Sequence, residues 1–96
     1  MTEKRYRFIF SKQAKKFLER NAPRLTRDEA EVAVVKAIRR ITHEEINSAD
    51  VIAMKGQYKG YFRVRLGTVR IVFAYLDGEI RIVDIDTIDF RGSVYH

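Results

Sequence analysis

At 96 residues the chain has room for one domain, residues 1–96, and a chain of this size buries roughly 60–68% of the surface its unfolded form exposes. Its 46% apolar and 33% charged residues exclude a disordered chain. No apolar run reaches the roughly 18–20 residues of a membrane span, and Met1 to Tyr6 lacks the apolar stretch of a secretory signal, so the expected compartment is the cytoplasm. The absence of cysteine, with only His43 and His96 as imidazoles, argues against disulfides, thiolate metal sites and a histidine metal cage, so metal-free chemistry without a cofactor is expected; 19 Lys+Arg against 13 Asp+Glu, a net +6, favour a polyanionic partner.

Arg5 to Phe10 alternates, with Tyr6, Phe8 and Phe10 on one side, and predicts a half-buried strand. Ser11 is placed to cap a short helix in which Ala14, Phe17 and Leu18 recur at helical spacing until Asn21 and Pro23 stop it. Thr26-Arg27-Asp28-Glu29 is a capping box that starts a second helix at about Arg27, with an apolar stripe of Ala30, Val34, Ala37, Ile38 and Ile41. His43 to Asp50 is polar without a period and reads as a connector. Gly67-Thr68 and Asp77-Gly78 are suited to two-residue hairpin turns, which predicts a three-stranded antiparallel meander of Gly60–Leu66, Val69–Leu76 and Glu79–Ile88. The fold class is therefore α+β: one strand, two helices, then the meander.

Positive charge concentrates in the first part of that meander. Lys55, Lys59, Arg63, Arg65 and Arg70 fall within sixteen residues that hold no Asp or Glu. Two-residue turns would set Arg65 opposite Arg70, Arg63 opposite Val72, Tyr61 opposite Ala74, Leu76 opposite Glu79 and Ala74 opposite Arg81. One face then carries the apolar residues, Ile80 and Ile82 among them, and the other carries Tyr61, Arg63, Arg65, Arg70 and Arg81. Like charges directly across a strand pair are destabilising, so the arginines are better explained by an anion that arrives later, and the planar guanidinium fork suits phosphate. The same alternation would bury Asp84 and Asp86, so a bulge near Val83-Asp84 is expected to turn Ile85 inward and the aspartates outward.

The succession Lys55-Gly56, Gly60 to Gly67, Arg70-Ile71-Val72-Phe73 and Arg91-Gly92-Ser93-Val94-Tyr95, behind a strand and two helices, closely resembles the RelE/ParE toxins of bacterial and archaeal toxin–antitoxin pairs. The resemblance spans nearly the whole chain. It implies a curved antiparallel sheet with both helices on one face, and an acidic antitoxin that wraps the toxin, as a dimer or heterotetramer. For the RelE branch it further implies a ribosome-dependent endoribonuclease, an mRNA interferase that inhibits translation. In that reaction the ribose 2′-hydroxyl attacks its own phosphodiester, which calls for a proton acceptor, cations on the phosphorane and a proton for the leaving oxygen.

Matched motif by motif, the resemblance gives Arg70 the role of stabilising the reacting phosphate, with Arg63 a basic residue beside it. Tyr95 matches a C-terminal tyrosine that packs on a base or assists proton transfer, and Arg91 a basic residue before it. Arg65, Arg81 and Lys55 complete the expected phosphate contacts. Tyr61 stands where well-characterised cleaving members have lysine, and Asp89 where some have a further arginine. Tyr61, Tyr95 and His96 are the proton-transfer candidates. The alternatives are a ParE-like inhibitor of DNA gyrase that cuts nothing, and a degenerate toxin that only binds its antitoxin.

Overall fold

The computed structural model describes residues Lys4 to Phe90, so Arg91, Tyr95 and His96 lie outside the described residues. Strand β1, Arg5–Phe10, forms where the alternation predicts it and buries Phe10, with Tyr6 and Phe8 packed against the same core. Ser11 caps helix α1, Lys12–Arg20, its hydroxyl accepting from the Ala14 amide at 3.1 Å. Helix α2, Arg27–Ile41, opens on the expected reciprocal cap: the Glu29 amide donates to Thr26 Oγ1 at 3.1 Å and the Thr26 amide to Glu29 Oε1 at 2.9 Å. Its stripe, Ala30, Ala33, Val34, Ala37 and Ile38, is buried.

The rest is sheet: β2 Asp50–Ala53, then a 3-10 turn at Gly56–Tyr58, β3 Phe62–Leu66, β4 Val69–Leu76 and β5 Ile80–Phe90. The strands lie in the order β1-β5-β4-β3-β2, with β1 parallel to β5 and the other pairs antiparallel. Helix α1 packs on β5 and β1, and α2 on β3, β4 and β2. Both helices share one face of the sheet with Val64, Val69, Ile71, Phe73, Val83 and Ile85. The opposite face carries no helix among the described residues. Strand β2 corrects the sequence reading, which has no strand between the second helix and Gly60. Only Val51-Ile52 signals it, and its pairing with β3 supplies the stability that so short a segment lacks alone.

The first hairpin has the expected two-residue turn. Leu66 faces Val69, and Gly67 takes a φ of 59° at the first central position, where a type II′ turn requires glycine. The second hairpin does not. Leu76 pairs with Ile82 and Ala74 with Asp84, three residues beyond the expected partners. An odd shift turns every side chain of that stretch to the other face. Val83 and Ile85 go into the core with Arg81, while Ile80 and Ile82 face away from the helices. Without a bulge, the expected register would have buried Asp84 and Asp86 unpartnered. The observed one buries a single guanidinium that has three, which is the cheaper arrangement. Ile85 is inward and Asp84 exposed, as expected, but the bulge lies later: Val72 faces Thr87 and Phe73 faces Ile85, leaving Asp86 as the extra residue.

Candidate nucleic-acid interface

The helix-free face is organised in rows across the strands. Asp50, Arg65, Arg70 and Asp89 form one row over β2, β3, β4 and β5, and Ile52, Arg63, Val72 and Thr87 form the next. The expected opposition of Arg65 and Arg70 is therefore present, and a carboxylate stands at each end of the row. Only one of these is engaged. Arg70 donates Nε to Asp89 Oδ1 at 3.2 Å and Nη2 to Asp89 Oδ2 at 3.3 Å, both residues being about a quarter exposed. Arg65 and Asp50, though register partners, form no ion pair. The Nε atoms of Arg63 and Arg65 are buried and have no hydrogen-bond partner. Unmade bonds of charged groups are costly, which makes these two guanidiniums receptive to an incoming oxyanion.

Beside this row lies an open depression of about 180 Å³ lined by Met54, Tyr58, Arg63, Arg70, Val72, Thr87 and Asp89. Gly56 and Gly60, with φ of 68° and 97°, bracket the tight turn that brings the chain from β2 into β3 and sets Tyr58 at the rim. Tyr61 is not among the lining residues; it meets Tyr58 edge-on, ring centroids 6.0 Å apart, and its carbonyl accepts from the Met54 amide at 2.9 Å. Lys55 is exposed just before the turn and does not line the depression. Of the expected residues the fold thus gathers Arg63, Arg65 and Arg70, and sets Tyr61 and Lys55 at the periphery. Met54, Tyr58 and Thr87 were not foreseen. Their place depends on β2, the turn and the bulge, none of which arginine spacing reveals.

Arg81 is not part of this face. Assigned above to phosphate binding, it points to the helix side with a side chain 2% exposed, because the odd register shift reverses it. There its Nε donates to Asp77 Oδ1 at 3.0 Å and its Nη1 to Tyr6 Oη at 2.9 Å and Glu44 Oε1 at 3.1 Å, while Nη2 donates to Glu44 Oε2. Hydrogen bonds from Arg81 hold the carboxyls of Glu44 and Asp77 below their usual values, and the bond with Glu44 raises Arg81. Burial pushes the neighbouring Tyr75 phenol up. This cluster fastens the segment after α2 to the sheet.

The position of Asp89 is fixed from the other side of its strand. Beyond the end of β1, Gln13 of α1 takes the place of a neighbouring strand: its Nε2 donates to the Ile88 carbonyl at 2.7 Å and its Oε1 accepts from the Ile88 amide at 2.9 Å. Ser11 adds a bond from its hydroxyl to the Asp86 carbonyl at 2.6 Å and one from its amide to the Ile85 carbonyl at 2.9 Å. The bulge and the residues after it are held on both edges. No group of three or more metal-ligating side chains occurs among the described residues, and no described helix is long and apolar enough to cross a membrane.

By its sheet order, its two helices on one face and the arginine row on the other, the chain has the fold of the RelE/ParE-like toxins. A YoeB/ParE toxin from Agrobacterium tumefaciens superposes with a TM-score of 0.59 at 15% identity, over 88% of this chain and 98% of that one. The toxin–antitoxin complex RelBE2 from Mycobacterium tuberculosis matches with a TM-score of 0.55 at 26% identity, over 91% of this chain and 99% of that one. A RelB–RelE antitoxin–toxin complex from Methanococcus jannaschii gives 0.55 at 21%, over 91% and 94%. No protein-family model matches the chain, and no curated protein matches it in sequence.

Proposed function

We propose that the chain is the toxin of a toxin–antitoxin pair and cleaves messenger RNA on the ribosome by attack of the ribose 2′-hydroxyl on the adjacent phosphate. The observation that carries this reading is the pair of buried, unpartnered Nε atoms of Arg63 and Arg65 next to Arg70, on the face the helices leave open. A protein that met only an antitoxin or another protein through its helices would have no use for guanidiniums kept without partners there. Arg63 and Arg65 hold phosphates flanking the scissile one, and Arg70 offers its remaining N–H groups to the charge that develops on the phosphorane. The tail carrying Arg91, Tyr95 and His96 is assigned to the same work on the resemblance alone.

The antitoxin is acidic. Its seat is the groove of about 560 Å³ between β1 and α2, where Tyr6, Phe8, Val32 and Val35 supply apolar surface and Asp28, Glu31, Lys36, Arg39 and Glu45 supply charges of both signs. A second reading, a gyrase inhibitor or a toxin that has lost its activity, is favoured by one observation: Asp89 already occupies one edge of the Arg70 guanidinium. Transcript ends mapped after induction, for wild type and Arg70→Ala, separate the readings. Cuts at fixed codon positions that vanish in the variant are expected. Loss of supercoiling with intact transcripts would establish gyrase inhibition instead, and growth indifferent to expression would mean an inactive toxin.

A further inference from the structure

A carboxylate beside the arginine expected to hold the reacting phosphate is an unusual choice if the face serves only to bind anions. Asp89 weakens the local positive field and takes up two of the N–H donors of Arg70. An uncharged partner such as threonine would relieve the opposition of Arg65 and Arg70 less, but would leave more donors for phosphate. What a carboxylate adds is a basic oxygen. Among the described residues lining the depression it is the only one: arginines donate, the Tyr58 phenol and the Thr87 hydroxyl are weak bases, and Met54 and Val72 are apolar.

Given the nuclease reading above, on which this inference rests, we propose that Asp89 is the general base that takes the proton of the attacking ribose 2′-hydroxyl. Three features place it for that work. Its carboxylate shares one depression with Arg63 and Arg70 and is 26% exposed, so a substrate can reach it. It is held still, by the two-pronged bond from Arg70 and by the Gln13 clamp on the preceding residue. Because Arg70 spends Nε and Nη2 on Asp89, its Nη1 is the edge left for phosphate. A phosphate on that edge lies next to the carboxylate along the same guanidinium. Proton abstraction requires the 2′-hydroxyl of the ribose bearing that phosphate to come within hydrogen-bond reach of the carboxylate, about 2.6–3.2 Å.

The 2′-oxygen forms a bond to phosphorus as its proton passes to Asp89, and the bond from phosphorus to the 5′-oxygen breaks. The departing 5′-oxygen takes a proton from water, and the hydroxide so formed recovers the proton from Asp89. The products are a 2′,3′-cyclic phosphate and a 5′-hydroxyl end, and no oxidant or reductant is consumed.

The test uses the full chain on programmed ribosomes carrying a defined messenger, in single-turnover cleavage, with Asp89→Asn and Asp89→Glu beside wild type. Asparagine keeps the shape and an oxygen for Arg70 but is no base, so its cleavage rate should fall by about 10²–10⁴-fold. Binding of a messenger with a 2′-deoxy sugar at the scissile nucleotide should stay equal or tighten. The rise of rate with pH on the acid limb should disappear in Asp89→Asn, and Asp89→Glu should recover part of the rate. An asparagine variant that cleaves as fast as wild type or faster would reduce Asp89 to a neutralising partner and overturn the assignment. So would binding and cleavage that fall together in both variants. In either case wild type still cuts; a wild type that leaves messengers intact instead removes the nuclease reading itself, and the assignment with it.

Discussion

Arg81 and Arg65 are the same side chain on one sheet, and they solve opposite problems. Arg81 is buried on the helix face and every nitrogen of its guanidinium donates, to Glu44, Asp77 or Tyr6. Arg65 faces out, sits beside Arg70, and keeps its Nε without a partner although Asp50 lies opposite. A guanidinium that is fully paired belongs to the folded structure, and one that is crowded by like charge and left unmade belongs to a ligand. Net charge distinguishes neither; hydrogen-bond satisfaction distinguishes both.

The sharpest way to break this contrast is to remove Arg81. Arg81→Met, which keeps the buried stem, should lower unfolding stability in urea by roughly 3 kcal/mol, the low end for breaking a buried pair, because Glu44 and Asp77 retain access to water. RNA affinity should not change. A variant as stable as wild type would mean the cluster is not structural.

On the open face the signs reverse. Arg65→Thr should weaken RNA binding by about 1.5–3 kcal/mol, the worth of a bond to a charged group, and reduce the salt slope by about 0.7 for the lost phosphate contact. The same change should leave the fold as stable as wild type or up to about 1 kcal/mol more stable, since it removes one of two opposed charges. Titrations at several salt concentrations, with urea unfolding on the same samples, check both halves. An Arg65→Thr protein that is markedly less stable would contradict the account of an arginine held against its neighbours.

The smallest effect concerns acid. Bonds from Arg81 hold Glu44 and Asp77 below their usual values, so folding favours their charged forms. The stability this supplies is complete above the unfolded-chain values of about 4 and is lost as pH falls through the lower folded values. Thermal midpoints should therefore drop below about pH 4, and Glu44→Gln should flatten that drop while costing under about 1 kcal/mol at neutral pH, as for a pair with one exposed partner. A variant with an unchanged acid limb would remove Glu44 from the explanation.

Local signals were legible in the sequence where their cause is local. Ser11, the Thr26–Glu29 box, the alternation of Tyr6, Phe8 and Phe10, and Gly67 in the first turn each act within a few residues, and each stands where expected. The opposition of Arg65 and Arg70 followed from that one turn. Asp77-Gly78 misled because its turn is not decided locally: Asp77 is recruited by Arg81, whose other partners, Tyr6 and Glu44, are remote in the chain. Strand β2 was missed because four residues carry too little pattern. Met54, Tyr58 and the pairing of Asp89 with Arg70 follow from long-range register, which no window of sequence contains.

Asp86 has a consequence for how this strand tolerates change in length. Val83 and Ile85 point inward before it, and Ile88 and Phe90 point inward after it, so the odd and even positions trade roles across a single residue. Asp86 is the one residue of that stretch with no opposite number on β4. A chain lacking it would run as an unbroken alternating strand with Ile85, Ile88 and Phe90 still against the core and Asp89 still beside Arg70. The bulge is therefore a surplus that the fold absorbs. Adding a residue between Thr87 and Ile88 would instead carry the carboxylate into the hydrocarbon interior and set Ile88 against the arginines.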